Sequence, residues 1–171
     1  MVATTLRTLE VIGMSLTQRQ AAMGTPESVE LSLDAFPGAS VVGTGDQAAL
    51  IVACLGEPRP DLVWWVSDCR FVGSSSLPRT GAEPRLVGTT EQLLALLPEV
   101  EQFDSGVFLG VESGVPTPRF REGGVWTEDP EGADLGDAVV EVRVFDYTWF
   151  EVMSDASLVG RIRVRFVGGI L

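Results

Sequence analysis

The side chains best suited to chemistry in this chain are carboxylates, and they crowd between Glu99 and Glu141. Glu99, Glu101, Asp104, Glu112, Glu122, Glu128, Asp129, Glu131, Asp134, Asp137 and Glu141 fall in this stretch, opposed only by Arg119 and Arg121. Clustered oxygens support three kinds of chemistry. They can hold a hard cation, and Glu128, Asp129, Glu131, Asp134 and Asp137 would be the ligands, although their spacing does not match an EF-hand loop. Two of them can serve as acid and base in a glycosidase-like reaction, but the sequence singles out no pair. They can also present a negative surface to a basic protein, where opposite charge speeds encounter and selects the partner. The plain structural alternative is a solvated face that keeps the protein soluble.

Absent residue types narrow the choice. The bases are all arginine, with neither lysine nor histidine. Without histidine there is no Ser-His-Asp or Cys-His arrangement and no imidazole base. Without lysine there is no Schiff base and no P-loop lysine. A zinc site needs histidines or several cysteines, and Cys54 and Cys69 stand alone. Reduced, buried thiols are the default expectation, with a disulfide across the sheet as the alternative. No cofactor, metal or catalytic residue is therefore assigned. The chain has 171 residues, 45% of them apolar, and a net charge of −12. That is enough apolar material for one domain with a real core, and the acidity disfavours nucleic acid and anionic membranes. The first residues make no convincing signal peptide. An arginine-only, asparagine-free composition suggests a GC-rich bacterial genome, and the expected location is the cytoplasm.

The elements that must position these carboxylates are mostly strands. Ala138 to Gly168 alternates polar and apolar residues, which predicts two long strands with one buried face. A turn over Ser154–Ser157 sets Glu151 opposite Arg161, Trp149 opposite Arg163 and Tyr147 opposite Arg165. In that register Val142, Val144, Phe150, Ile162, Val164 and Phe166 face the core. An arginine stripe beside aromatics can bind polyanions, but Glu141, Glu151 and the aromatic faces suffice to neutralise it.

Ala48–Leu55 is a continuous apolar run, consistent with a buried strand. Asp61–Val72 is a strand with a tryptophan on each face, expected near the centre of the sheet. Glu27–Leu33 and Gly106–Glu112 are further strands, and Val125–Thr127 a short edge strand. Thr89 and Gln92 form a capping box for a helix that presents Leu93, Leu94, Leu96 and Leu97 to the core. A further helix is expected at Ser15–Met23. Gly43-Thr-Gly45, Gly73–Arg85, Val100–Asp104, Ser113–Gly124 and Glu128–Asp137 read as turns or loops. Leu77-Pro-Arg-Thr-Gly81 resembles the sortase cell-wall sorting pentapeptide, but globular sequence follows it where an apolar segment and basic tail would be needed, so the match carries no functional expectation.

The fold expected is α+β, a single domain with a mainly antiparallel sheet, one or two short helices and a long C-terminal hairpin, residues 1–26 being more loosely attached. The function expected is an acidic protein–protein interaction module, an immunity or inhibitor-type protein that neutralises a basic toxin or nuclease-like partner. Glu122, Glu128, Asp129, Glu131, Asp134 and Asp137 are its candidate contact residues. A homo-oligomeric assembly subunit is the first alternative and a small carboxylate-dependent hydrolase the second.

Overall fold

The computed structural model describes residues 25–130 and 134–168. The helix expected at Ser15–Met23 lies outside them. One six-stranded antiparallel sheet carries the fold, in the order β1-β6-β5-β4-β2-β3. Its strands are β1 (Glu27–Leu31), β2 (Leu62–Gly73), β3 (Arg85–Thr89), β4 (Val100–Glu112), β5 (Ala138–Phe145) and β6 (Trp149–Ser154). Among the described residues three α-helices, α1 (Gly45–Gly56), α2 (Thr90–Leu96) and α3 (Ala156–Ile162), pack on one face. The fold class is the α+β arrangement expected. Among the described residues no helix is long and apolar enough to cross a membrane.

The main core lies between the helices and the sheet. Ala48, Ile51, Val52 and Leu55 of α1, Leu93 of α2 and Leu158 and Ile162 of α3 meet Trp64, Phe108, Val142, Val144, Phe150 and Val152. Burying an aliphatic or aromatic side chain of this size contributes about 1.5–3 kcal/mol. The fully buried Trp64 donates its indole N–H to Thr90 Oγ1 at 2.9 Å, tying α2 to the sheet. Its cross-strand neighbour is Gly110, where a Cβ would press on both Val140 and the Trp64 ring. The glycine in the middle of β4 therefore makes room for the indole.

Four expected elements are corrected by the structure. The C-terminal hairpin is present, but it is β5–β6, and it turns at Asp146–Thr148 rather than at Ser154–Ser157. Asp146 and Tyr147 both have positive φ, 21° and 61°, as a turn of the primed hairpin type requires. The supposed second strand is helix α3 followed by a π-helical turn, Arg163–Val167. Asp155 caps it, accepting from the Leu158 amide at 2.9 Å, and Leu158, Val159 and Ile162 share its buried side. The arginines that alternation set beside aromatics are paired elsewhere: Arg161 with Glu57 and Arg163 with Glu27.

Ala48–Leu55 is not a strand but the body of α1. Its signal is a second capping box, in which Thr44 Oγ1 accepts from the Gln47 amide and Gln47 Oε1 from the Thr44 amide. A short apolar run cannot by itself separate strand from buried helix. Val100–Asp104, expected as loop, is the first part of β4, and the acids there, Glu101 and Asp104, point to solvent while Val100 and Phe103 are buried. Val125–Thr127 is not a strand but an irregular segment laid across the sheet, with the Val125 amide on the Ala82 carbonyl at 2.8 Å.

Near the far end of β2 the ladder bulges at Asp68, whose φ is 43°. Asp68 is buried and gathers two loops. Its amide donates to Gly81 O at 2.6 Å and its carboxylate accepts from the Thr127 amide at 3.1 Å. The Leu77–Gly81 pentapeptide is thereby sewn along β2, with Leu77 buried, Thr80 bonded both ways to the Cys69 backbone, and Arg79 over the Phe71 ring at 3.9 Å. Cys69 lies on β2 and Cys54 on α1, and both thiols are free.

Two measurements test this packing. The Gly45 Cα sits against the Leu97 carbonyl so closely that an added Cβ would collide with it. Gly45→Ala is expected to destabilise by about 1–3 kcal/mol or more through overpacking, against about 1 kcal/mol for losing the Thr44 cap in Thr44→Ala, as read by urea denaturation. Burial holds the Cys69 thiol up at about 12 against an ordinary 9.0, with Arg79 offsetting part of the effect. The unfolded chain loses this proton near its ordinary value and the folded chain does not. Stability contributed below pH 9.0 is therefore lost as the pH climbs toward about 12. The urea midpoint is expected to fall over that window, and to fall less steeply in Cys69→Ala.

Candidate functional site

The sheet face opposite the helices is covered by the long segment between β4 and β5. Val125 and Leu135 from this segment pack on Val107, Leu109, Val111, Ala138 and Met153, and the Phe120 ring tilts over Trp65 at 5.5 Å between centroids. This second core is small, and charge fills its centre. Glu141 and Arg143 alternate with Val140, Val142 and Val144 along β5, so they project toward the covering segment. They are 0% and 1% exposed.

Around Glu141 the charges close into a network. Arg121 donates from Nη1 and Nη2 to the two Glu141 oxygens at 2.7 and 2.9 Å. Arg143 Nε donates to Glu141 Oε1 at 2.7 Å. Arg121 Nε reaches Asp129 Oδ2 at 2.9 Å, and its Nη1 also donates to the Asp134 carbonyl at 3.0 Å. Arg143 Nη1 donates to the Asp129 carbonyl at 2.6 Å and stands 3.5 Å from a Glu151 oxygen. Burial opposes the charge on Arg121, but the hydrogen bonds and charge of Glu141, and then of Asp129, outweigh it and raise its pKa above the usual arginine value. Bidentate arginine–carboxylate bonds of this kind are strong and fixed in direction.

Beside the network a cleft of about 270 Å³ is lined by Glu30, Glu128, Asp129, Arg143, Phe145, Trp149 and Glu151. Strand pairing builds it. Glu30 is the cross-strand partner of Glu151, which in turn partners Arg143. Phe145 and Trp149 face each other across the hairpin, their rings stacked at 4.9 Å. Four carboxylates thus surround one guanidinium and two aromatic faces. Arg143 Nη2 is buried and has no hydrogen-bond partner among the described residues.

The six contact residues expected from sequence divide into different roles. Glu122 and Glu128 are exposed, and Glu128 lines the cleft. Asp129 is held by Arg121 and by the Trp126 amide at 2.9 Å. Asp134 accepts from the Gly136 amide at 2.9 Å. Asp137 accepts from the Arg119 amide at 2.7 Å and lies 3.8 Å from the Arg119 guanidinium. Glu131 lies outside the described residues. The acidic segment is thus partly an internal structural device rather than a uniform solvated face. Glu30, Arg143, Phe145, Trp149 and Glu151 were missed as a group, because they converge only once β1, β5 and β6 are paired in their true register. Among the described residues no group of three or more carboxylates or thiols is placed to hold a metal ion.

Comparison of the chain with protein-family models, with curated proteins and with solved structures finds no match.

The network itself is testable. Removing Arg121 (Arg121→Ala) takes away two of the three hydrogen bonds to the buried Glu141 carboxylate and is expected to cost about 3–5 kcal/mol, whereas replacing Arg121, Glu141 and Arg143 together by apolar residues of similar volume is expected to cost far less. Thermal unfolding of the single and triple variants compares them; equal losses would mean that packing of the stems, not uncompensated charge, sets the cost.

Proposed function

We propose that this protein is an acidic protein–protein interaction module of the immunity or inhibitor type, which docks on a basic partner such as a nuclease-like bacterial toxin. The observation that supports the reading is the cleft formed by Glu30, Glu128, Asp129, Glu151, Phe145 and Trp149 around Arg143. Its carboxylates favour a cation, and its aromatic faces favour a flat or alkyl-stemmed one through cation–π contact. The buried Arg143 Nη2, whose N–H groups have no acceptor among the described residues, favours an oxygen acceptor. A protein segment supplies both at once, a basic side chain and a backbone carbonyl.

Glu30 and Glu128 are exposed at the mouth, where a charge steers encounter and sets specificity more than it fixes the final affinity. A carboxylate-dependent hydrolase would draw on the same residues, but Asp129 is already committed to Arg121. A second reading, assembly of copies of this chain, draws on the edge strand β3, where Leu86 is exposed. Unpaired edges of this kind invite strand addition, and a mass that rises with concentration in light scattering would favour it.

A labelled hexa-arginine peptide serves as the probe. Its binding is expected to weaken about tenfold or more as salt rises from roughly 50 to 500 mM, and to weaken again in Glu128→Arg and Glu30→Arg. Binding that ignores ionic strength, or that is unchanged in both variants, would overturn the reading.

A further inference from the structure

The row Glu30–Glu151–Arg143 crosses β1, β6 and β5 and forms one wall of the acidic cleft. In it two carboxylates stand on directly opposed residues, about 4.5–5.5 Å apart at Cβ, an arrangement that costs stability where no cation bridges them. The cations already present are largely spent. Arg143 gives Nε to Glu141 and Nη1 to the Asp129 carbonyl, with a Glu151 oxygen at 3.5 Å. Arg121 binds Glu141 and Asp129. Glu30 and Glu128 are left with no ion pair among the described residues. A second gap has the opposite sign. Arg143, 1% exposed, lines the same cleft, and its Nη2 has no hydrogen-bond acceptor among the described residues. The site lacks a cation and an acceptor together.

The walls discriminate between the two cationic side chains a basic partner carries. A lysine ammonium is a compact, strongly hydrated point charge, whereas an arginine guanidinium is planar, more weakly hydrated, stacks on aromatic faces and presents a fork of N–H groups. Phe145 and Trp149 both line the cleft with their planes only 23° apart, so they offer a flat wall. Glu30 and Glu151, side by side on neighbouring strands, offer carboxylates to the edges of one fork. The cleft volume of about 270 Å³ falls below the range for drug-sized ligands and suits a single side chain. A guanidinium has no acceptor of its own, so an arginine carried on a peptide, with its carbonyls, answers both gaps where a free guanidinium answers one.

We propose that the cleft is a receptor for one arginine side chain of the partner, stacked on Trp149 and forked between Glu30 and Glu151, and that it selects arginine over lysine. The proposal rests on the docking reading above and narrows it from a basic surface to one residue type at one position.

Three labelled peptides of equal charge test it at roughly 50 mM salt, where charge alone binds all of them: hexa-arginine, hexa-lysine, and hexa-lysine with one central lysine replaced by arginine. Wild type is expected to bind hexa-arginine about fivefold or more tighter than hexa-lysine, and the single arginine to recover most of that gain. Trp149→Leu is expected to erase the preference while both homopeptides still bind, and Trp149→Phe, which keeps an aromatic face, to retain most of it. Glu30→Gln, at an exposed position, is expected to narrow the preference without disturbing the fold, which keeps the test decisive if Trp149→Leu misfolds. Equal affinity of wild type for hexa-arginine and hexa-lysine would sink the arginine receptor and leave the docking surface standing. So would a gain that grows evenly with each added arginine, the mark of a diffuse acidic surface. Failure of every peptide to bind would remove the docking reading itself, and this proposal with it.

Discussion

The bidentate bond between Arg121 and Glu141 is the interaction on which the non-helical half of this molecule depends. The sheet needs a cover on both faces, because β4 and β5 lie in its middle and carry buried residues on each side. Three helices supply one cover. The other is a long segment whose described residues form no helix or strand, with few apolar residues of its own. Among its described residues, Val125 and Leu135 are the buried hydrophobics that it contributes to the second core. Such a segment cannot be held by burial alone against its conformational entropy. Arg121 anchors it at its middle by binding Glu141 on the sheet, and Asp129 anchors it again by binding both Arg121 and, through its carbonyl, Arg143.

Buried ion groups are poor sources of net stability, since the desolvation of each charge offsets most of the attraction. Their consequence here is specificity. Glu141 accepts three hydrogen bonds from two guanidiniums, one from Arg143 on its own strand and two from Arg121, which form only when the segment brings Arg121 over β5. The same network fixes the register of the hairpin. Slipping β5 by one residue against its neighbours would turn Glu141 and Arg143 into the helix-side core and Val142 toward the charges. Seen this way, part of the acidity of the chain is interior wiring, and the acids left at the surface are fewer and more local than the composition suggests.

How much of this was legible in the sequence varied with the kind of signal. β2 announced itself by its length and alternation, and α2 by the Thr89–Gln92 capping box, because both signals are local. The faces of β5 were also legible: parity put Glu141 and Arg143 together and opposite Val142 and Val144. Parity could not show that both faces would be buried, since that depends on a segment folding back from elsewhere in the chain. The misreadings have a common cause. In Ile162, Val164 and Phe166 an alternating pattern arose where helix periodicity also fits, through Leu158, Val159 and Ile162, and Asp155 as an N-cap was the deciding residue. In Ala48–Leu55 the deciding residues were Thr44 and Gln47, just outside the apolar run. Caps, more than hydropathy, separate strand from helix at these lengths.

The corrected register also changes what the acidic surface can do. In the expected hairpin, Trp149 stacked on an arginine and Glu151 was spent on another. In the actual one, Trp149 stacks on Phe145 and Glu151 sits between Glu30 and Arg143 on neighbouring strands. Three of the cleft walls, Arg143, Phe145 and Glu151, are strand residues paired on both sides, and Glu30 and Trp149 are paired on one; of the two walls from the covering segment, Asp129 is clamped by Arg121 and Glu128 is exposed. Carboxylates on a surface loop must be ordered when a partner arrives, and that ordering subtracts from affinity. Carboxylates set on paired strands are ordered beforehand, so more of their attraction is available for binding. On this argument the proposed docking surface is narrower than the acidic segment from which it was first inferred, and it is better organised because the buried Glu141 network holds its neighbours in place.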